Sequence, residues 1–256
     1  MPDSKFALAD SPIGGETFFI RDSRNMSEVD VIYEDNHLLV VNKPTKLATM
    51  GAAGQPTLHS LGCDYIRRTC NKPNKVYLGI VSRLDSMTSG VIVMARTSKA
   101  ASRLTPQFAN HSGDGAKKTY LAVVSGRVEQ QQGTLVDDVY KDDAAHRMRV
   151  AHHSRSDAKE ARLEYEVLGC DRELTLLMVK PLTGRKHQIR LQWAEVGFPI
   201  LGDTKYGSER SWPTGIALHS WRLSIMHPTK KERMTFEAPI PDAWASRLGT
   251  NLLAKP

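Results

Sequence analysis

The sequence predicts an α+β fold with a central mixed, largely antiparallel sheet and flanking helices. Two observations predict it: short alternating or apolar runs rich in Val, Ile and Leu recur along most of the chain, and only a few segments between them show helical spacing. With 256 residues and 40% hydrophobic content, the chain can bury a substantial core as one large domain or two closely joined lobes. No fixed-period repeat, low-complexity tract or clean internal boundary divides it.

Residues 1–28 mix Pro, Gly, Ser and acidic residues without sustained periodicity and read as an acidic, flexible arm. Within it Thr17, Phe18, Phe19 and Ile20 can form one short strand. The folded body is expected over 29–256. VIYED and LLVVNKP open it as two strands separated by a turn at Asp35 and Asn36 and ended by Pro44. A Gly-rich loop then leads into a helix that Thr57 caps, with Leu58, Leu61 and Tyr65 at helical spacing, before CNKPNK breaks the chain. VYLGIV and GVIVMAR read as strands holding SRLDSMTS between them, a rigid mount for an exposed side chain. Thr97 or Ser98 caps the next helix, which presents Ala101, Leu104 and Phe108 on one face and ends at HSGDGAKK. TYLAVVSG is a strand, and the polar span from Val128 to Ala161 reads as connections with short hairpins. ARLEYEVLG and ELTLLMVKP are strands, and RKHQIRLQWAEVG is a helix turning Ile189, Trp193 and Val196 to the core. IALHSWRLSIMHP and ERMTFEAPIP are the final strands.

The net charge of +7 is unevenly spread. Residues 1–35 hold three Lys/Arg and eight Asp/Glu, so the remainder carries +12. Such a field attracts phosphate backbones, and it also fits an anionic small substrate or an acidic protein. Cys63, Cys70 and Cys170 form no CxxC pair, which points to reduced thiols in an intracellular protein. The first residues lack a basic region followed by an apolar signal segment, and no stretch is long and charge-free enough to span a bilayer, so a cytoplasmic protein without membrane contact is expected.

The loop SRLDSMTSG places Arg83 and Asp85 beside a Thr88-Ser89-Gly90 turn. Alone, it reads as a local ion pair and a Ser/Thr turn. The wider sequence adds to this. YEDNHLLVVNKP, SRLDSMTSGVIVMAR, KKTYLAVVSG, LTGRKHQIRLQWAEVGFPILGDTKYG and LHSWRLSIMHP resemble, in this order, the signature blocks of the RluA-type pseudouridine synthases. The resemblance spans about residues 31 to 240. It implies a pseudouridine synthase fold, isomerisation of uridine in structured RNA (rRNA or tRNA) with the target nucleotide flipped out, and catalysis by Asp85. It also implies a base-stacking Tyr120, a basic partner for Asp85, for which Arg190 is chosen with Arg185 as the alternative, and an Arg83 that fills the space the nucleotide leaves. One departure is Ser82, where the family block commonly reads HRLD; another is the insertion-like HSGDGA before Lys117.

These residue types suit the reaction. Uracil leaves ribose C1′, turns and rejoins through C5, with no atom gained or lost. The enzyme needs a carboxylate near C1′, shelter for the detached base and removal of the C5 proton. Asp85 can attack C1′ or take the ribose 2′ proton to give a glycal, and Arg190 would offset the cost of its charge in a protected pocket. Tyr120 offers a flat face and a hydroxyl. Arg185, Lys186 and His187, around the start of a helix, and Lys205 in GDTKYG are expected to meet RNA; Asp203 and Tyr206 of that turn read as scaffolding near the pocket. No cofactor is expected: GAAG at 51–54 falls short of a dinucleotide or Walker pattern, and His146, His152 and His153 lack metal-ligand geometry and read as a solvated connection. No obligate protein partner is predicted. A noncatalytic RNA-binding factor of this fold is the second reading, and a nucleotide or sugar hydrolase, which lacks a paired acid, the third.

Overall fold

The computed structural model describes residues 29–51, 54–71, 75–110, 113 and 115–253. The short strand expected at Thr17 to Ile20, the 1–28 arm and part of the HSGDGA segment lie outside these residues. In chain order the elements are β1 (Asp30–Glu34), β2 (Leu38–Lys43), α1 (Leu58–Thr69), β3 (Gly79–Ile80), β4 (Ser89–Ala95), α2 (Ser98–Ala109), β5 (Lys117–Ser125), β6 (Gln132–Asp142), β7 (Arg147–Val150), β8 (Lys159–Cys170), β9 (Leu174–Pro181), α3 (Gln188–Glu195), a 3-10 turn at Thr204–Tyr206, β10 (Leu218–Met226), β11 (Arg233–Glu237) and α4 (Asp242–Leu253).

Among the described residues all eleven strands join one sheet, in the order β1-β2-β4-β10-β5-β9-β8-β6-β7, with β11 added to β10 and β3 to β4. The pairings are antiparallel except β4 with β10, where Ser89 and Gly90 lie parallel to His219 and Ser220. This is the mixed, largely antiparallel sheet with flanking helices that the sequence predicts.

Runs such as LLVV and VIVMA are continuous rather than alternating because this part of the sheet is covered on both faces. Leu38, Val40, Val91 and Val93 pack with Leu104 of α2, whereas their neighbours Leu39, Val41, Ile92 and Met94 pack with Leu58 and Ile66 of α1. A larger core lies under β5, β9 and β10, where Trp193, Trp212, Trp221 and Trp244 gather from α3, a loop, β10 and α4. Both expected caps form. The Thr57 hydroxyl accepts from the Ser60 amide in a reciprocal capping box, and the Thr97 hydroxyl accepts from the Ala100 amide.

Four expectations are corrected. VYLGIV supplies only the two-residue β3, which pairs with Met94 and Ala95 at the end of β4, on the edge opposite β2; the start of that edge, at Ser89 and Gly90, pairs with β10. The span from Val128 to Ala161 holds an expected short hairpin, β6 with the four-residue β7, but β6 is longer than a short hairpin needs, running eleven residues and pairing along its first part with β8. ERMTFEAPIP is extended in the sheet only over Arg233–Glu237, and the helix α4 that follows has no counterpart in the expected elements. Val196 is 42% exposed at the end of α3, since the helix closes at Glu195 before another turn can bring it inward.

Candidate active site

Asp85 sits in the connection from β3 to β4, whose backbone is pinned residue by residue. The Leu84 carbonyl accepts from the Thr49 hydroxyl at 2.8 Å, the Asp85 carbonyl from the Thr88 amide at 3.1 Å, and the Met87 carbonyl from the Ile216 amide at 3.3 Å. Lys43, at the end of β2, donates from Nζ to the carbonyls of Pro44 and Leu47 at 2.8 Å and of Ser86 at 3.2 Å. Burial pulls the Lys43 ammonium down to about pKa 7, against the opposing pull of the Asp85 charge. Gly90 closes the loop at φ +111, and a β-carbon there would come within 2.2 Å of the Ser220 carbonyl oxygen, so the parallel register of β4 and β10 needs glycine. The loop is a rigid mount, as its flanking apolar runs suggest.

Arg190 projects from the first turn of α3 between two carboxylates. Its Nη1 donates to Asp85 Oδ2 at 3.0 Å, while Nε and Nη2 grip Asp203 at 2.6 and 2.8 Å in a two-pronged pair. Side-chain exposure is 6% for Arg190 and 1% for Asp203 but 28% for Asp85, so of the three only the Asp85 carboxylate presents a substantial open face. Burial opposes the guanidinium charge, yet the hydrogen bonds and charges of Asp203 and Asp85 outweigh it and raise the Arg190 pKa further. The Tyr206 ring lies 5.1 Å below the guanidinium carbon.

A cleft of about 380 Å³ opens over this cluster, lined by Asp85, Lys186, His187, Arg190, Asp203 and Lys205 among others. His187 Nε2 stands 3.7 Å from Asp85 Oδ1, and its Nδ1 is 2.9 Å from the Tyr206 hydroxyl. Burial lowers the His187 pKa to about 4; the Asp85 charge opposes this, and Arg190, Lys186 and Lys205 add to it. A second hollow of about 340 Å³, on β6, β8 and β9 around Thr134, Glu164, Glu166 and Lys180, holds none of the residues the sequence singles out.

The structure therefore brings Asp85, Arg190, Lys186, His187 and Lys205 to one cleft. Lys205 is exposed and donates to the His146 carbonyl at 2.7 Å. Tyr120 is outside that lining. It lies on β5 between Ser220 and Val179, packed against the large core, and its hydroxyl is raised to about pKa 12 by burial and the nearby Asp85 charge, with a hydrogen bond to Ser220 opposing. Arg185 is also outside that lining, and its Nε donates to the Glu160 carbonyl at 2.8 Å. Arg83 is exposed and without an ion-pair partner among the described residues, so the local ion pair that its loop suggests does not form. Two contributors escape a reading of the sequence. Asp203 reads only as scaffolding there because nothing in GDTKYG signals its pairing with Arg190. Lys43 leaves a usable trace: a lone cation, after Asn42, ending a strand that opens with four apolar residues. Among the described residues no group of three or more His, Cys, Asp or Glu side chains is placed to hold a metal.

The sheet topology is that of one class of protein, and comparison with known proteins assigns the chain to it. Residues 37–195 match the family model described as RNA pseudouridylate synthase, a span that includes Asp85, Tyr120 and Arg190. The chain belongs to this family, in its RluA-type subgroup, and is an RNA pseudouridine synthase. It is 36% identical over 214 residues to the dual-specificity RNA pseudouridine synthase RluA of Escherichia coli K12, covering 82% of this chain and 92% of that one. It is 32% identical over 229 residues to the ribosomal large subunit pseudouridine synthase D of Nitrosomonas europaea, covering 85% and 64%. Among solved structures, human RNA pseudouridylate synthase domain containing 4 superposes with a TM-score of 0.73 at 22% identity, over 89% of this chain and 94% of that one, a likeness of fold.

Proposed function

We propose that this enzyme isomerises uridine in structured rRNA or tRNA, with Asp85 acting at the sugar of a flipped-out nucleotide. The observation that carries the reading is the Arg190 to Asp85 bond at the floor of the cleft: the carboxylate is backed by a buried cation and open on its other side. A carboxylate so held can attack C1′ or draw off the ribose 2′ proton, and both routes free the uracil. The cation offsets the cost of holding that charge away from water. Tyr120 supplies a ring for the detached base and a hydroxyl that stays protonated at neutral pH, as its raised pKa requires.

Arg83, Arg185, Lys186, His187 and Lys205 form the RNA face in this reading. Arg83, exposed and unpaired among the described residues, enters the duplex to replace the extruded nucleotide's stacking. The RNA class draws support from relatives, one of which is by name a ribosomal large subunit enzyme. Residues 29–256 act as the catalytic domain, 1–28 as an acidic arm, and the enzyme works in the cytoplasm.

Asp85→Asn tests the proposal. The variant is expected to fold and retain most RNA affinity while losing tritium release from [5-³H]uridine RNA. Release at a near-normal rate by a folded variant would refute the role of Asp85.

A further inference from the structure

We infer that His187 is a positioning residue for the Asp85 carboxylate, a fixed N–H donor whose tautomer is set by Tyr206. The inference rests on the reading of Asp85 given above. His187 precedes α3 at φ 53 and ψ 23, a left-handed conformation that is strained for a residue with a β-carbon. That backbone turns the imidazole between Asp85 and Tyr206 instead of out to solvent. Its ring meets the Tyr206 ring edge-on, with centroids 5.7 Å apart and planes at 87°.

The partners of Tyr206 favour one position for the proton. The Met148 backbone N–H, in β7, donates to the Tyr206 hydroxyl oxygen at 3.3 Å. That hydroxyl still has its own proton, and in the inferred arrangement it donates that proton to His187 Nδ1, 2.9 Å away. A neutral imidazole accepting at Nδ1 carries its hydrogen on Nε2. Nε2 faces Asp85 Oδ1, while Arg190 Nη1 holds the other oxygen, Oδ2. Two donors three residues apart thus address the two carboxylate oxygens separately. The 3.7 Å gap at Oδ1 exceeds a hydrogen bond, as catalytic contacts in a free enzyme often do before substrate tightens them.

The groups facing the ring are Asp85 from the loop, Arg190 from α3, Lys186 from its own segment, and Lys205 and Tyr206 from the 3-10 turn; Arg147 of β7 lies over the Tyr206 ring, 5.3 Å from its centroid. In that company, and buried, the ring is neutral near pH 7. It therefore orients the carboxylate without adding a second full positive charge that would blunt it.

Long-range ¹H–¹⁵N spectra of the ¹⁵N-histidine-labelled enzyme should show the Nε2–H tautomer for His187, and Tyr206→Phe should mix or reverse it. In single-turnover assays on [5-³H]uridine RNA from cells lacking the enzyme, His187→Leu should lose roughly tenfold or more in rate at unchanged RNA affinity. His187→Gln, whose amide nitrogen reaches the Nε2 position, should recover most of that loss. Tyr206→Phe, which leaves the strained backbone at 187 untouched, should slow turnover even if the Leu variant folds poorly. An Nδ1–H tautomer in the wild type, full-rate turnover by His187→Leu, or a Gln variant no better than Leu would overturn the inference. Asp85→Asn run in parallel separates the failures: if it is inactive while His187→Leu is unimpaired, only the positioning role falls, and if it is active, both readings fall.

Discussion

Arg190 commits three nitrogens to two carboxylates, and one of these, Asp203, is almost completely shielded from water. Removing one member of a buried pair leaves the other charge uncompensated, which costs more than the pair itself contributes. Arg190→Met is therefore expected to lower stability by about 3 to 5 kcal/mol, measured by urea unfolding, in addition to abolishing turnover. Arg190→Lys should keep a charge but lose the planar fork, recovering part of the stability and little of the activity. A stability change within a few tenths of a kcal/mol for Arg190→Met would show that Asp203 finds another partner. At this scale the sequence carries Asp85, Tyr120 and Arg190 through the ordered blocks of a family resemblance, although 105 residues separate the bonded aspartate and arginine. It does not carry the role of His187, which shows only as one member of a basic stretch. Its orientation depends on a single left-handed residue, and no spacing rule signals that.

The elements meet at small polar knots as well as in the apolar core. Asp35, in the turn from β1 to β2, accepts from the His37 and Leu38 amides at 2.7 Å, from Tyr33 at 3.0 Å and from His227 Nε2 at 2.8 Å; His227 follows β10. Burial pushes the Asp35 carboxyl up, but these hydrogen bonds outweigh it and hold the group at about pKa 2. Between 3.8 and about 2 the unfolded chain binds the proton that the folded one refuses, so this contribution is complete above the upper value and lost as pH falls through the lower. Urea midpoints taken from pH 4 to pH 2 should fall less steeply for Asp35→Asn than for the wild type; identical slopes would mean the knot does not set acid stability. Helices α1 and α2 are legible in the sequence because their caps and apolar spacing are local signals. Strand β8 is legible, whereas β6 is legible only in part. In β8 exposed Glu160, Arg162 and Glu164 alternate with buried Ala161, Leu163 and Tyr165, the signal of a half-buried strand, whereas in β6 the adjacent acids Asp137 and Asp138 interrupt that alternation.

For the whole molecule, the fold class follows from counting strands against helices, but the strand order does not. β10 inserts between β4 and β5 and pairs with residues about 130 positions earlier, a placement set by tertiary packing and invisible to local pattern. The charge distribution is legible from the start: the basic excess lies after residue 35, and part of it lines the cleft as Lys186, Arg190 and Lys205. If this face meets phosphate, RNA affinity should fall linearly on a log-log plot against salt, and Lys186→Ala should reduce that slope by about 1. An unchanged slope would remove Lys186 from the RNA face. The central claim is that the exposed face of the Asp85 carboxylate lies against the ribose of an extruded uridine, and the structure of the Asp85→Asn enzyme bound to its RNA tests this most directly. The substituted side chain at position 85 is expected about 3 to 3.5 Å from C1′ or C2′ of a flipped nucleotide, with Arg83 in the vacated stack. A uridine still stacked in the RNA, or seated away from position 85, would contradict it.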